Sequence, residues 1–174
     1  MNPTETQAPP VAKKASLAER HAARIEAIAS KYPTRRSGVM DLLWLVQEEE
    51  GWISTDAMEE IAAICGIQPC EVVEMVSFYT MYNTAPVGKF VFQVCGTLPC
   101  AVCGADGLLD YLTEKLGVGV GETTEDGLFT IKKVECLGAC SEAPLMLVNK
   151  RMALRLTRAK ADEIIKRCRL GDGE

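Results

Sequence analysis

Two pairs of cysteines stand out by residue type and spacing. Four residues separate Cys95 from Cys100, three separate Cys136 from Cys140, and each pair lies on a short turn that contains glycine or proline. Small residues let such a turn curl so that backbone N–H groups face sulfur, and thiolates prefer zinc or iron-sulfur clusters to hard cations. The sequence therefore predicts that the two turns meet around one soft metal centre.

The residues alone leave three interpretations of these cysteines open. In the first, Cys95, Cys100, Cys136 and Cys140 bind a 2Fe-2S cluster that transfers one electron at a time. In the second, Cys100 and Cys103 join the later pair in a structural zinc site, because C-x2-C is a common zinc spacing. In the third, Cys100 and Cys103 form a C-x-x-C dithiol for disulfide exchange. Together with Cys95 and Cys100, Cys103 would also match the C-x4-C-x2-C spacing of plant-type ferredoxins. The close spacing of Cys136 and Cys140 instead favours ligation by two cysteines from each loop. We expect Cys103 to be an exposed thiol near the centre.

Composition narrows the function classes. The chain has 174 residues, a formal net charge of −5 and a pI near 5.1, which argues against a nucleic-acid binder because phosphate binding needs clustered Lys and Arg. No apolar run is long enough to cross a bilayer, and the N-terminus lacks the apolar core of a secretory signal, so we expect a soluble chain. Eight cysteines without an export signal indicate a reducing compartment.

His21 is the only histidine of the chain. A Rieske centre needs two imidazoles, and a catalytic Cys/His or Ser/His/Asp set would have only this residue to use. Leu17, Ile25 and Ile28 share its helical face, so we predict a partly buried packing residue.

Three segments follow from the patterning. Residues 1–15 contain three prolines and almost nothing to bury, so we expect a disordered tail. Residues 16–85 show four apolar stripes at helical spacing and predict an all-α helical bundle. Residues 86–174 read as strand, helix, strand, strand, helix with a crossover after the first strand, which predicts an α/β, thioredoxin-like sheet with both cysteine loops at one end.

The helical segment has clear starts and stops. Ser16 and Glu19 form a capping box, Ser54 or Thr55 caps the third helix, and Pro69 suits the first position of the fourth. We expect the three acids at 48–50 to form a solvated helix end. Cys65 lies on an apolar stripe, so we interpret it and Cys70 as structural residues and not as ligands.

The second segment is predicted to contain strands at 89–94, 128–134, 145–148 and 152–156. A helix marked by residues 105–116 begins just after Cys100, and Thr157 caps a last helix to about Arg169. The glycines of 117–121 do not match a dinucleotide fingerprint, because Glu122 stands where the third glycine belongs and a strand follows, so we expect no NADH site on this chain. Pro144 follows the second cysteine loop, and we predict that the Ala143–Pro144 bond is cis.

Several motifs together resemble a known family, namely Tyr32-Pro33, Gly51-Trp52, residues 78–81, residues 86–88, residues 121–124 with Asp126-Gly127, and residues 134–140 with Ala143-Pro144. They are similar to the peripheral thioredoxin-like 2Fe-2S subunit of bacterial and mitochondrial NADH:quinone oxidoreductase, the 24 kDa subunit family of respiratory complex I. The resemblance runs from Ser16 to about Cys168. Cys103 departs from the family pattern.

The resemblance implies a function and a ligand set. It implies one 2Fe-2S cluster held by Cys95, Cys100, Cys136 and Cys140, in a non-catalytic electron-transfer subunit that exchanges single electrons with the flavin of a partner. FMN and NADH would be bound by that partner, and further iron-sulfur subunits would complete the complex. Equivalent diaphorase subunits of NAD-reducing hydrogenases and NAD-dependent formate dehydrogenases are the alternative.

The resemblance also implies partners and a location. The helical segment would dock on the flavin- and NADH-binding subunit, with Trp52, Phe78, Tyr79 and Tyr82 as candidate contacts. No nucleic acid and no direct membrane insertion are expected. The protein would lie in the cytoplasm, peripheral to the inner membrane through the complex, or on the matrix side in mitochondria.

Charges near the cysteines bear on the potential of such a cluster. Four thiolates give an oxidised 2Fe-2S centre a net negative charge, which the N-terminus of the helix after Cys100 should stabilise. Glu135 and Glu142 act in the opposite sense. Our hypothesis is that Glu142 lowers the reduction potential by making an added electron more costly.

Overall fold

The computed structural model describes residues 15–171 in two compact units, one ending at Thr84 and one beginning at Ala85. The predicted disordered tail, apart from Ala15, lies outside the described residues. The buried apolar residues form one cluster in the first unit and two in the second, so each unit has a core of its own.

The first unit consists of helices, as predicted. Their bounds are α1 (Leu17–Ala29), α2 (Val39–Glu50), α3 (Thr55–Cys65) and α4 (Pro69–Phe78), with a 3-10 turn (Arg35–Gly38) before α2. Both halves of the Ser16–Glu19 capping box are present, and Ser54 accepts a hydrogen bond from the Ala57 N–H. The apolar stripes meet in a core whose most buried members include Leu43, Ile53, Ile61 and Val72.

The acids at the end of α2 form ion pairs with side chains of α1. Glu49 and Glu50 both pair with Arg20 of α1, and Glu49 Oε2 lies 2.6 Å from Nε2 of the half-buried His21. Glu48 and Glu49 are exposed, as expected of a solvated helix end, and side chains of α1 also reach Glu49 and Glu50. The hydrogen bond with His21, opposed by burial and reinforced by Arg20, lowers the pKa of Glu49.

The second unit is a mixed sheet with helices. Its elements are β1 (Phe90–Cys95), α5 (Leu98–Val102), α6 (Ala105–Leu116), β2 (Phe129–Val134), β3 (Met146–Val148), β4 (Arg151–Ala153) and α7 (Arg158–Arg169). The strand order is β2-β1-β3-β4, with β1 parallel to β2 and both later pairings antiparallel. The crossover after the first strand is confirmed, because β1 pairs in parallel with β2 after the chain has passed through α5 and α6.

The core of the second unit fills the space between this sheet and its helices. Phe92, Phe129, Ile131 and Met146 of the strands and Leu112 of α6 are almost fully buried. After α6 the chain turns at Gly117 and returns through a Thr123–Thr130 bridge into β2, so the glycine-rich turn leads into a strand.

Among the described residues no single helix is both long and apolar enough to cross a membrane. Of the described helices, α3 and α4 would be long and apolar enough only if they were counted together, and the chain bends by 118° between them.

Candidate metal centre

The two cysteine loops lie side by side because they follow neighbouring parallel strands. Cys95 is the last residue of β1 and stands opposite Val134, the last residue of β2, and Cys136 follows two residues later. Parallel strands end at the same edge of a sheet, so the loops that leave them begin next to each other. The fold thus brings together two turns that are far apart in sequence.

The first loop buries both of its thiols. Cys95 is 1% exposed and Cys100 0% exposed, and they pack with Ala105 and Leu145 in a small apolar cluster. Cys100 lies inside the short helix α5, and Gly104, at φ 92°, separates that helix from α6. The prediction that one helix begins just after Cys100 therefore needs correction, because a left-handed glycine divides the segment into two helices.

The second loop is open to solvent. Cys136 and Cys140 are both exposed, and the Gly138 N–H donates a hydrogen bond of 3.4 Å to Cys136 Sγ. A 3-10 turn (Cys140–Glu142) follows, and then the Ala143–Pro144 bond, which is cis as predicted.

The pKa values of the two buried thiols are shifted in opposite directions. Burial opposes ionisation of Cys95, but hydrogen bonds from the Thr97 hydroxyl, from the N–H groups of Thr97 and Leu137 and from Cys100 outweigh it and lower its pKa to about 7. Burial, the hydrogen bond with Cys95 and the charge of Cys95 raise the pKa of Cys100 to about 11, although the Leu145 N–H favours its thiolate. The backbone therefore offers donors to both sulfurs.

The exposed thiols form a second pair that interacts with the first. A hydrogen bond with Cys136, followed by the charge of that residue, raises the pKa of Cys140. The charge of Cys95 also raises the pKa of Cys140, and the charge of Cys140 raises the pKa of Cys100. Electrostatic effects therefore link the exposed pair of thiols to the buried pair.

The family model of the thioredoxin-like 2Fe-2S ferredoxins matches residues 25–169 of this chain. The chain belongs to this family.

Curated relatives and a solved structure agree with this placement. NADH-quinone oxidoreductase subunit 2 of Thermus thermophilus is 47% identical over 150 residues, which cover 84% of this chain and 83% of the relative. The mitochondrial NADH dehydrogenase [ubiquinone] flavoprotein 2 of Dictyostelium discoideum is 43% identical over 145 residues, 82% of this chain and 59% of the relative. The crystal structure of an NAD+-reducing NiFe hydrogenase in the air-oxidized state shares the fold, with a TM-score of 0.65 and 22% identity over 75% of this chain and 23% of that one.

The zinc interpretation and the 2Fe-2S interpretation make different demands on the thiols. A structural zinc ion needs all of its ligands around one point, at about 2.3 Å for sulfur. Between residues 15 and 171 no group of three His, Cys, Asp or Glu side chains converges in that way. Two pairs of thiols, each pair for one iron, are what a two-iron cluster needs. The match to the 2Fe-2S family model, and not the spacing of the sulfurs, favours the first interpretation over the zinc site.

The position of Cys103 also bears on the disulfide-exchange interpretation. Cys103 is the exposed C-cap residue of α5, as expected, whereas Cys100 is fully buried. A nucleophilic C-x-x-C thiol needs solvent access and a lowered pKa, and Cys100 has neither.

Cys65 and Cys70 lie in the helical unit, at the end of α3 and the start of α4.

The aromatic contact candidates differ in exposure. Tyr82 is only 4% exposed and its hydroxyl donates to the Met40 carbonyl, so it is a core residue. Trp52 is half-buried, whereas Phe78 is 77% exposed at the end of α4 and Tyr79 follows it at the surface. Phe78 and Tyr79 are thus the most accessible of the four.

Sequence reasoning missed several groups around the thiols of this ferredoxin. Thr97 is the N-cap residue of α5, and its hydroxyl lies 3.4 Å from Cys95 Sγ. The position of a threonine just before Leu-Pro could have suggested this N-cap. The Leu145 N–H and the side chain of Arg155 gave no signal in the sequence, because only the folded chain brings them to the cysteine loops.

Proposed function

We propose that the chain is the electron-transfer subunit of a complex I-type NADH:quinone oxidoreductase, with one 2Fe-2S cluster bound by Cys95, Cys100, Cys136 and Cys140. The observation that supports this most is the pairing of these thiols at the ends of two neighbouring parallel strands, in a chain 47% identical to a subunit of that enzyme. The hydrogenase likeness is a likeness of fold at 22% identity, so we place the chain with the quinone-linked enzymes.

The residues of the site suit this role. A 2Fe-2S cluster accepts and releases one electron at a time when it is bound. Cys95 and Cys100 would hold one iron inside the apolar cluster formed with Ala105 and Leu145, where water is excluded. The N–H groups that face the sulfurs favour their thiolate form, which stabilises ligation.

The partner in this proposal is the flavin- and NADH-binding subunit, with FMN and NADH bound there. Exposed large apolar side chains are typical of subunit contacts. Phe78 and Tyr79 fit such a contact in the helical unit, and Leu98 and Val102, both more than three-quarters exposed, flank Cys100 on α5. The complex would keep this chain peripheral to the inner membrane.

An anaerobic purification of the full chain tests the ligand set. We expect iron and sulfide in equal amounts and broad visible charge-transfer absorption. Replacing Cys95, Cys100, Cys136 or Cys140 with alanine should abolish or strongly reduce that absorption. Cys103→Ala is the control within the same loop and Cys70→Ala the control in the helical unit, and both should retain it.

Three results would contradict the proposal. A colourless protein with bound zinc would support the zinc site. A metal-free protein that reduces insulin disulfides would support disulfide exchange. Loss of the cluster in Cys103→Ala, with retention in Cys100→Ala, would overturn the ligand set. Reduction of the cluster by NADH in the presence of the co-purified flavoprotein would then test its place in the complex.

A further inference from the structure

A salt bridge joins the second cysteine loop to the segment after β4. Arg155 Nε lies 2.6 Å from Glu142 Oε2, and Arg155 Nη2 lies 2.9 Å from Glu142 Oε1. Both carboxylate oxygens are therefore held by one guanidinium, the geometry in which Arg binds a carboxylate best. Glu142 is only two residues beyond Cys140 and ends the same 3-10 turn.

The backbone attaches the same two segments independently of these side chains. The Arg155 N–H donates to the Glu142 carbonyl and the Leu156 N–H to the Pro144 carbonyl, each at 2.8 Å. Leu156 is buried in the core of the second unit. The loop would thus stay connected to the sheet without the ion pair.

Exposure and conformation indicate that the side chain of Arg155 has a role other than stability. It is 69% exposed and its partner 31% exposed, and exposed ion pairs contribute little to folding. Arg155 has a φ of 48°, in the left-handed region where glycine or asparagine is favoured. An arginine is thus held in a conformation unfavourable for it, with its charge placed on the carboxylate beside the cysteine loop.

We propose that Arg155 is a positioning residue that balances the charge of Glu142 and thereby sets the reduction potential of the cluster. This inference rests on the proposed ligation by Cys140 and its three partners. A reduced cluster has one more negative charge, so an unpaired carboxylate nearby disfavours reduction. The guanidinium offsets that effect, and Glu142 lowers the potential less than it would if it had no partner.

Four variants of the full chain separate charge balance from loop geometry. Arg155→Asn retains the backbone N–H and tolerates the left-handed conformation but removes the cation, and Glu142→Gln removes the anion. The third variant combines both changes. Arg155→Lys keeps the cation and covers the case in which Arg155→Asn does not fold. Redox titration followed by visible absorption and electron paramagnetic resonance gives the potential of each.

We expect opposite shifts from the single variants. Arg155→Asn should lower the potential, Glu142→Gln should raise it, the double variant should return close to the unsubstituted protein, and Arg155→Lys should stay close to it. Lys115→Gln is the control, because Lys115 also forms an exposed ion pair, with Asp162, but lies at the opposite end of α6 from Ala105, which packs against the buried cysteines. It should leave the potential unchanged.

Some outcomes overturn this inference alone. Shifts of the same sign in both single variants would mean that the ion pair acts through loop geometry. A double variant whose potential does not return to that of the unsubstituted protein would mean the same. Equal potentials in all variants would mean that the charges have no effect. A protein that binds no 2Fe-2S cluster at all overturns the proposed function together with this inference.

Discussion

The thiols of the two pairs differ in the donors that surround them. Cys95 receives hydrogen bonds from the Thr97 hydroxyl and from backbone N–H groups, whereas the Cys136 sulfur accepts one from Gly138 in a loop open to water. Donors that face a thiolate stabilise its negative charge, and this matters most when the cluster is reduced. Single side chains near the buried pair should therefore alter the potential.

Thr97 offers the clearest case. Thr97→Val keeps the shape of the side chain but removes the hydroxyl that lies 3.4 Å from Cys95 Sγ. We expect a lower reduction potential, by up to about 40 mV if the lost hydrogen bond contributes about 1 kcal/mol to a one-electron reduction. Thr97→Ser retains the hydroxyl and should stay near the unsubstituted value. A redox titration in which both variants shift equally would remove the hydroxyl from the explanation.

At the residue scale, the sequence predicted that the two cysteine turns lie at one end of the sheet, but it did not predict the groups around them. The spacing of the cysteines and the small residues between them suffice to predict two turns around one centre. The pairing of Arg155 with Glu142 spans 13 positions, and that of His21 with Glu49 spans 28. Such contacts depend on how elements pack, so no local pattern predicts them.

Most helices and strands could be predicted from the sequence, because nearby residues determine where they begin and end. Ser16, Ser54 and Thr157 cap helices through their own side chains. Helix α5 was missed because its five residues are too few to show a helical period. Pro99 lies in the first turn of α5, where proline is compatible with the start of a helix, but this proline alone was not enough to predict the helix.

Two glycines of the second unit should respond in opposite directions to the same substitution. A Cβ on Gly88 would lie 2.8 Å from backbone atoms of Phe129, which cannot move without distorting β2, so Gly88→Ala should destabilise by about 1–3 kcal/mol. A Cβ on Gly107, inside α6, would meet nothing within 4 Å, so Gly107→Ala should stabilise by about 0.5–1 kcal/mol. Urea unfolding followed by circular dichroism measures both.

The sign of each change is the informative result. Gly88→Ala without loss of stability would mean that the chain before β1 packs less closely on β2 than the structure shows. A destabilised Gly107→Ala would mean that the exposed face of α6 has a neighbour in solution.

For the whole molecule, the separate cores predict separable unfolding. Ile61 belongs to the core of the first unit and Ile131 to that of the second, and both are 0% exposed. Each Ile→Ala change should cost about 2–5 kcal/mol. Ile131→Ala should lower the urea midpoint of the visible cluster absorption, whereas Ile61→Ala should lower only the midpoint followed by tryptophan fluorescence, because both tryptophans, Trp44 and Trp52, lie in the first unit.

The control is built into this pair, since the substitution and the burial are the same. If Ile61→Ala lowers the midpoint of the cluster absorption as much as Ile131→Ala does, the two units unfold as one and the separate cores do not behave independently.

The unequal depth of the two thiol pairs bears on how the holoprotein is made. Cys95 and Cys100 belong to the interior, whereas Cys136 and Cys140 face water. A donor that delivers preassembled iron and sulfide meets the outer rim of the site first. Under the proposed ligation, Cys136 and Cys140 would therefore bind iron before Cys95 and Cys100 do, and the second loop would be the part of the site that the donor contacts.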